Sequence, residues 1–489
     1  MQHFSSALLA TLGLTLGAHT LSLAQTTAPN GETVWDLRQS IDHAIKNNLQ
    51  VRQVGLSVEQ AAMDVNQARA NQLPTINGSG SHGFNNGFFL DPVRNEIQNT
   101  QVWSGNFALQ SSVNLYNGLQ VQNTIKRNRL EYQASQLDQE RAQNDIVLNV
   151  VTAYMTILLN QELLKTNQER LNLTQSQLDR TQKLYEAGSV PESNVLDLNA
   201  QMASDELNII TAQNQIELAE LNLIQLLNLE NATPQNFSVI IPDIPNPDES
   251  VLPYELQEVY ATAENLMPQI KSAQLRVESA TRAIAIARGA YHPSLSLVGS
   301  ISSRYSSGSN LFSFGPPVQV DQVVGYVGND QSQPVTMPTI VSVPTSLTYP
   351  YFDQLTDNIG QFIGVSLNVP ILNSFRTRNN VQLSRIGLRN AQLNSDIAKN
   401  DLKQNIAQAY TDAVGAQRRY AAAKKQMVAF EQAFRNAEVR LENGLINNVD
   451  FNVARNNLVK AQSDIIQAKY DFVFKQKILE FYQGQTITL

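Results

Sequence analysis

The chain has 489 residues, of which 16% are charged, and it carries a formal net charge of -8. This length is enough for two or more ordinary domains, and the acidic balance offers no basic surface to a nucleic-acid partner. The sequence contains no cysteine, which excludes a disulfide framework, a metal–thiolate site and a cysteine nucleophile. It also lacks a glycine-rich phosphate-binding loop and a pair of histidines at metal-ligand spacing, so no class of enzyme is indicated.

The N-terminus opens with an apolar run that begins at Ala7 and ends in Ser22-Leu23-Ala24. This ending is a small-x-small pattern typical of a signal-peptidase site, so residues 1–24 are predicted to be a secretory signal peptide. The first residues contain no Lys or Arg, unlike an ordinary signal, and a buried N-terminal helix is the alternative. No run of eighteen apolar residues follows, which predicts that the rest of the chain has no transmembrane helix.

The sequence repeats itself at a constant offset. Residues 184–188, Leu-Tyr-Glu-Ala-Gly, match residues 440–444, Arg-Leu-Glu-Asn-Gly, and residues 113–117 match residues 369–373 without a gap between the two matches. Apolar residues recur every seven positions in both copies. This period is typical of helices packed as coiled coils, so the residues that follow it are interpreted as core.

Each half contains a helical hairpin of unusual length. Residues 119–187 include neither Gly nor Pro, which predicts a helix that at ~1.5 Å per residue reaches ~100 Å. Gly188 and Pro191 predict a tight turn, because Gly suits the position after a helix and Pro suits the first turn of the next one. The returning helix is predicted from about Glu192 to Leu229, and the second hairpin turns between Gly444 and Asn448.

Four shorter segments alternate apolar with polar or small residues, which predicts β-strands. They cover residues 76–84, 107–115, 295–305 and 363–371. A period of two over about ten residues fits a strand that crosses a membrane, and a half-buried strand of a soluble sheet is the alternative. Each pair of strands follows a first helix, predicted at residues 35–71 in one half and 253–288 in the other.

Two proline-rich segments separate the predicted elements. Residues 306–358 contain six prolines and are predicted to form an irregular external loop between two strands. Residues 233–252 are predicted to be a linker or a small mixed patch between the halves. The predicted domains are therefore a first repeat at residues 31–232 and a second repeat at residues 253–485.

The predicted fold class is mainly α with β, built as two tandem repeats of helix, strand, strand and long helical hairpin. Four strands are too few to close a membrane barrel, since the smallest have about eight. Backbone groups in lipid must all be paired, so strands in a membrane require several chains to share one barrel. The long helices then form a second tube that extends from the barrel, and the assembly is a duct.

The chain resembles the TolC-like outer-membrane efflux family (outer membrane factors) over nearly its whole length after the signal. The twofold repeat carries this resemblance, together with the strand-to-helix junctions at residues 115–118 and 371–374 and the hairpin turns at residues 185–188 and 441–444. It implies a homotrimer in the cell outer membrane of a Gram-negative bacterium. In that trimer a twelve-stranded β-barrel continues as a twelve-helix α-barrel into the periplasm.

The resemblance also implies a function. It is that of a passive channel in a tripartite efflux or type I secretion system, which contacts outer-membrane lipid, a periplasmic adaptor protein and an inner-membrane pump of the RND or ABC type. No cofactor, catalytic residue or nucleic acid belongs to this function, and the cargo (drug, metal or protein) stays open. A secreted or periplasmic coiled-coil scaffold is the alternative, which explains the heptads but not the matched strands.

In the family, carboxylates shortly after a hairpin-turn glycine line a constriction of the pore. Asp450 lies six residues after the second turn glycine and matches this pattern, and the corresponding positions in the first half are Asn194 and Asp197. The next such position in the second half is Val453, so one carboxylate ring is missing. The alternative for Asp450 is a solvated residue that caps the helix beginning at Phe451.

The hairpin turns are the predicted docking sites for the adaptor, through Tyr185, Gly188, Leu441 and Gly444. The closing contacts of the family include a Tyr and an Arg in the second turn, and this sequence has Leu441 and Ile446 at those positions. We therefore expect apolar packing in place of the polar latch.

Overall fold

The computed structural model describes residues 33–90, 97–242, 244, 246–247, 254–328, 330–485 and 487. The predicted signal peptide at residues 1–24 lies outside these ranges. The chain forms two compact units, each made of separate stretches of sequence. Unit 1 takes its described residues from Met1–Leu56, Leu137–Lys271 and Ala398–Leu489, and unit 2 from Ser57–Gln136 and Ser272–Ile397.

The described chain is mainly helical with strands, as predicted. The helices are α1 (Leu37–Asn47), α2 (Leu49–Ala70), α3 (Gln120–Glu186), α4 (Glu192–Leu227), α5 (Leu256–Leu266), α6 (Pro268–Gly289), α7 (Tyr351–Asp357), α8 (Arg376–Glu442) and α9 (Asn448–Tyr482). The strands are β1 (Thr33–Trp35), β2 (Thr75–Leu90), β3 (Ile97–Asn117), β4 (Phe237–Val239), β5 (Ser294–Ser306), β6 (Asn310–Phe314), β7 (Val318–Tyr326), β8 (Pro334–Val341), β9 (Pro344–Thr348) and β10 (Gly360–Asn368).

The long helices have the lengths that the sequence predicts. Helices α3 and α8 have 67 residues each, and both their first and their last residues are separated by the offset of the sequence repeat. Helices α4 and α9 begin at this same offset, whereas α1 and α5, like α2 and α6, share a second and shorter one. The order of helices and paired strands in the first half thus recurs in the second.

The single first helix predicted in each half is wrong, because each is divided in two. The divisions lie at Asn48 and Met267, whose backbones are extended. Side-chain hydrogen bonds stabilise the break at Asn48. Its Nδ2 donates to the Leu226 carbonyl at 2.9 Å, and its Oδ1 accepts from the Gln50 amide at 2.9 Å. At the second break Pro268 disfavours helical geometry in the residue before it.

Unit 1 has a core built on the heptad positions of the long helices. Its largest fully buried side chains include Val150, Tyr154, Ile157, Leu158, Leu223, Leu227, Ile406 and Leu479. The short strands β1 and β4 pair in parallel beside this core, so residues 233–252 include an ordered patch. The Tyr154 hydroxyl donates to the Ile240 carbonyl at 2.5 Å, which ties α3 to this patch.

By length and composition, α3 is long and apolar enough to cross a membrane, the one described helix that is. The sequence predicted no such helix. Core helices of soluble domains satisfy the same criterion, and the apolar part of α3 includes Val150, Tyr154 and Leu158, all of which lie in the core of unit 1. Packing therefore accounts for the apolar character of this stretch.

Unit 2 contains an antiparallel four-stranded sheet in the order β10-β5-β3-β2. These are the four predicted strands, so that prediction is confirmed at the level of the elements. Strands β2 and β3 extend further than predicted, whereas β10 ends at Asn368, before Val369 and Ile371.

The prediction of an irregular loop at residues 306–358 is wrong. This segment forms two antiparallel strand pairs, β6 with β9 and β7 with β8, followed by helix α7. Its prolines do not prevent this, because Pro334 and Pro344 begin strands and Pro338 lies in a two-stranded pair. A strand with one unpaired edge tolerates a residue that lacks an N–H group.

Candidate functional site at the helix turns

The first hairpin turn lies between α3 and α4 and has a defined hydrogen-bonded geometry. Gly188 adopts a φ of +74°, its amide donates to the Tyr185 carbonyl at 2.8 Å, and the Ser189 amide donates to the Leu184 carbonyl at 2.8 Å. This is a Schellman motif, in which the amide of a left-handed residue after the helix and the amide of the following residue donate to terminal helix carbonyls. The prediction that Gly188 occupies the position after the end of the first long helix is confirmed.

The second hairpin turn, between α8 and α9, repeats this motif. Gly444 adopts a φ of +68° and donates to the Leu441 carbonyl at 3.0 Å, and the Leu445 amide donates to the Arg440 carbonyl at 2.8 Å. A Cβ atom added at either turn glycine would meet nothing within 4 Å. The glycines are therefore required by the backbone conformation and not by a lack of space.

The residues after the turns differ in how they begin the returning helix. Asn447 is the N-cap of α9, and its side chain accepts from the Asp450 amide at 2.8 Å. The alternative in which Asp450 itself caps the helix is thus wrong. Asp450 lies exposed in the first turn of α9, where a negative charge is favoured by the positive end of the helix dipole.

The other two predicted constriction residues, Asn194 and Asp197, lie on α4, whereas Asp450 lies on α9. Asn194 is half-buried and Asp197 is exposed. Asn194 occupies the first turn of α4, and its amide donates to the Pro191 carbonyl at 3.1 Å. Asn194 and Asp450 correspond to each other at the offset of the sequence repeat. Each is the third residue of its helix.

Large apolar side chains are exposed around both turns. Leu445 and Val449 are 68% exposed and Val453 is 55% exposed. Tyr185 is also exposed, whereas Leu441 and Ile446 are half-buried. The helix turns therefore present an apolar surface of the kind that marks interaction sites.

A buried ionic network that the sequence analysis missed joins three helices in unit 1. Asp205 on α4 is fully buried, and Arg455 on α9 is 3% exposed. The Nε of Arg170 on α3 lies 2.9 Å from Asp205 Oδ1, and Arg455 Nη2 lies 3.4 Å from Asp205 Oδ2. One carboxylate thus faces two guanidinium groups from different helices.

Uncharged groups complete this network. Thr174 Oγ1 donates to Asp205 Oδ2 at 2.5 Å and accepts a hydrogen bond from Arg455 Nη2. Arg455 Nη1 also donates to Gln177 Oε1 at 3.2 Å. Thr174 and Gln177 belong to α3, so Arg455 fastens α9 to the first hairpin by contacts to both α3 and α4.

The charge balance makes Asp205 the central group of the network. Burial lowers the pKa of Arg455, Asp205 opposes that shift, and the nearby Arg170 adds to it. The buried Arg455 and the half-buried Arg170 share this one anion, and its loss would be costly because it leaves a buried charge unpaired.

The sequence did contain one signal for this network. Asp205 lies seven and fourteen residues before Ala212 and Ala219, and all three are buried. A charged residue in a heptad position otherwise filled by small apolar residues indicates a buried polar partner. The identity of that partner was not readable, because Arg455 belongs to the other half of the sequence.

A second buried acidic residue of α4, Glu220, has a raised pKa. Glu220 is 7% exposed, and burial, with the charge of Glu217 adding to it, raises the pKa of Glu220 to about 7. Among the described residues no group of three or more His, Cys, Asp or Glu side chains is arranged to hold a metal ion.

Comparison with known sequences supports a transport protein. The family model described as outer membrane efflux protein matches residues 40–229 and 259–485. The chain is 25% identical over 291 residues to the probable outer membrane lipoprotein SilC of Salmonella typhimurium, and this match covers 57% of the chain and 59% of SilC. The chain thus spans less than two thirds of the length of that relative.

Comparison with solved structures identifies the fold. The crystal structure of CusC matches with a TM-score of 0.70 at 18% identity and covers 92% of both chains. The structure of VceC from Vibrio cholerae matches with a TM-score of 0.68 at 16% identity and covers 92% of this chain and 97% of that one. From the family match over most of its length, the chain belongs to the outer membrane efflux protein family and is a protein of the outer membrane.

Proposed function

We propose that this chain is one protomer of a passive homotrimeric channel that conducts cargo from a periplasmic adaptor protein and an inner-membrane pump across the outer membrane. Three copies complete a twelve-stranded β-barrel that continues as a twelve-helix α-barrel, and the two halves of each chain are tandem repeats. The pump, of the RND or ABC type, supplies the energy of a tripartite efflux or type I secretion system.

The four-stranded sheet of unit 2 is the observation that carries this proposal. In the described part of the chain, its outer strands β2 and β10 each pair with one neighbour only. Open edges cannot lie in lipid, because the backbone groups there would have no partners. Strands β10 and β2 run in opposite directions, so β10 of one copy can pair antiparallel with β2 of the next, and three copies supply twelve strands.

The two faces of the sheet differ as a membrane barrel requires. One face, which we call the apolar face, carries Ile76, Phe84, Trp103, Phe107, Leu109, Val113, Leu295, Leu297, Ile301, Tyr305, Ile363, Val365 and Leu367. The opposite face is mainly polar, although Val102, Val298 and Phe362 also lie on it; its polar members include Asn77, Ser79, Ser81, Ser104, Asn106, Gln110, Ser112, Ser296, Ser300, Ser302 and Ser366. We assign the apolar face to lipid and the opposite face to a water-filled lumen.

The helix turns supply the gate and the docking surface in this proposal. Three copies of Asp450 form a carboxylate ring that attracts cations, and Asn194 and Asp197 line the same constriction from α4. The exposed apolar residues around the turns, together with Tyr185, Gly188, Leu441 and Gly444, receive the adaptor. Opening then separates apolar contacts instead of a polar latch.

A pair of neighbouring substitutions in β10 tests the membrane assignment. Val365 belongs to the apolar face and Ser366 to the opposite face. An Arg side chain toward lipid costs about 2–4 kcal/mol per copy at the bilayer midplane and less toward the interface, where Val365 lies two residues from the Leu295 level, whereas the lumen tolerates it. We therefore expect Val365→Arg to abolish the trimer in the outer-membrane fraction and Ser366→Arg to preserve it.

The same preparations test the channel. Wild-type protein and the Ser366→Arg variant are expected to need detergent for extraction, to crosslink as trimers and to give single-channel conductance in planar bilayers. A coiled-coil scaffold would be released by salt and would tolerate both substitutions equally, and that result would overturn the proposal.

A further inference from the structure

Helix α7 lies against one end of the apolar face of the sheet. The Leu355 carbonyl accepts a hydrogen bond from Ser303 Oγ at 2.6 Å, and the rings of Tyr351 and Tyr305 are 4.3 Å apart. Ser303 and Tyr305 alternate with the polar residues of β5 and point to the apolar face. The contacts therefore place α7 on the side that the proposed function assigns to lipid, and not in the lumen.

A buried glutamine fastens α7 to the end of β5. The side chain of Gln354 is 1% exposed, accepts from the Ser306 amide at 2.9 Å and donates to the Tyr349 carbonyl at 2.8 Å. The Asn358 side chain adds a bond to the Arg304 carbonyl at 2.9 Å. These bonds satisfy backbone groups at the point where the chain leaves the sheet, so the position of α7 is specified.

An aromatic cluster joins α7 to three strands of the sheet. Its members are His82, Phe84, Trp103, Tyr305, Tyr351 and Phe352. Trp103 is 50% exposed and Phe352 is 77% exposed, so the cluster forms a surface and not a core. Rings that combine a large apolar area with a polar edge are favoured at the boundary between lipid and water.

The height of the apolar face agrees with a lipid–water boundary at the level of α7. Leu295 and Tyr305 are ten residues apart on β5, which corresponds to ~34 Å along a strand at ~3.4 Å per residue. A tilt of ~40° reduces this to ~26 Å, close to the ~25 Å apolar band of membrane barrels. Tyr116 faces Leu295 and gives the other end of the band an aromatic residue.

We propose that α7 and the aromatic cluster form an interfacial anchor that holds the channel at the outer lipid–water boundary of the bilayer. This inference rests on the proposed function, because it requires the sheet to lie in a membrane. The sequence has no Lys or Arg between Arg304 and Arg376, so attraction to anionic headgroups does not drive the contact. Burial of aromatic area is the remaining source of affinity.

Tryptophan fluorescence in vesicles tests the anchor. The chain has two tryptophans, and Trp35→Phe leaves Trp103 as the reporter of the sheet. A second protein, Trp35→Phe/Trp103→Phe/Phe352→Trp, reports on α7 from an exposed position that has no core to disturb. A third, Trp35→Phe/Trp103→Phe/Asn106→Trp, reports on the opposite face and is the matched control. Each trimer is reconstituted in phospholipid vesicles brominated at shallow or deep acyl positions.

The expected result is loss of emission from the first two proteins, greater with shallow than with deep bromines and unchanged by high salt. The control should lose emission to acrylamide and not to brominated lipid. If the sheet reporter is quenched by lipid and the α7 reporter is quenched only by acrylamide, the anchor is wrong and the proposed function stands. If neither reporter is quenched by brominated lipid, the sheet is not in the bilayer and both proposals fail.

Discussion

At the residue scale, one buried carboxylate on α4 faces Arg side chains from two other helices. Asp205 is buried between Arg170 and Arg455 and holds both by its charge. Arg455, the member of this network on α9, lies seven residues after the first residue of that helix, Asn448, or ~10 Å along the helix. Its role is to fasten α9 to the first hairpin near the surface that we assign to the gate.

Removal of the Asp205 charge is expected to destabilise unit 1. Asp205→Asn leaves the buried Arg455 and the half-buried Arg170 without an anion, and breaking a buried ion pair costs about 3–5 kcal/mol. Thermal unfolding in detergent, followed by circular dichroism, measures the loss. The neighbouring exposed residue supplies the control, Glu206→Gln, which should change stability by less than about 0.5 kcal/mol.

A double substitution separates the charge effect from packing. Adding Arg455→Met to Asp205→Asn removes one of the unpaired charges and should restore part of the lost stability, since apolar replacement of buried ion pairs is often neutral or favourable. A double variant that is less stable than Asp205→Asn alone would show that the contacts of Arg455 to α3, and not its pairing with Asp205, dominate.

The raised pKa of Glu220 predicts how the free energy of unfolding depends on pH. Its pKa is about 7 in the folded chain against an ordinary value of 4.5, so the folded chain binds this proton more tightly than the unfolded chain. Its contribution is complete below about pH 4.5 and is lost as the pH rises toward 7, by up to ~3 kcal/mol at 1.36 kcal/mol per pKa unit. In Glu220→Gln this part of the pH dependence should disappear, and the variant should be more stable than wild type at pH 8. An unchanged profile would contradict the assignment.

At the element scale, the junctions between strand and long helix depend on backbone conformations that few residues adopt. Gly118 and Leu119 have φ values of +66° and +60°, and their counterparts in the second copy of the repeat, Ser374 and Phe375, have +51° and +61°. Two consecutive left-handed residues thus turn the chain from strand into helix in each half. A bulky residue at positive φ stores strain, so the surrounding structure must hold Phe375 in place.

Gly118 is expected to tolerate no side chain. A Cβ atom there would lie 2.1 Å from the Gly289 carbonyl oxygen, a backbone atom that cannot move aside. Gly118→Ala should therefore cost more than the ~1 kcal/mol of an unfavourable φ alone. Gly387→Ala in α8 is the control, because nothing lies within 4 Å of its Cβ position and Ala favours a helix by up to ~1 kcal/mol. Equal unfolding temperatures for the two variants would contradict the close approach.

At the scale of the whole molecule, the proposed constriction exists only when three chains meet. A single Asp450 is an exposed carboxylate in the first turn of a helix. In the proposed trimer, three copies of Asp450 around an axis make a negative ring, and Val453 leaves the second carboxylate ring of α9 missing.

Asp450→Asn is expected to reduce the cation-over-anion permeability ratio of the trimer by a factor of about two to five. Reversal potentials in planar bilayers under a salt gradient measure the ratio. Asp396→Asn, an exposed position on α8 in unit 2, should leave the ratio unchanged. If both variants behave like wild type, Asp450 does not line the narrowest part of the pore.

The sequence by itself determined the features that are local in origin. The absence of Gly and Pro between Leu119 and Ala187 set the length of α3, the seven-residue period set its buried stripe, and Gly188 and Gly444 set the turns through their backbone freedom. Alternation with a period of two identified the four strands of the sheet. In each case the physical cause lies within a few residues of its effect.

Only the tertiary structure decided which distant residues meet. Asp205 and Arg455 pair across the two halves of the sequence, and α7 returns to β5 through a segment whose prolines suggested no order. Asn48 breaks its helix because its side chain reaches the Leu226 carbonyl, a partner that no local pattern announces. Such contacts depend on the packing of whole elements, and a periodic pattern specifies which face of an element is buried but not which residue it meets there.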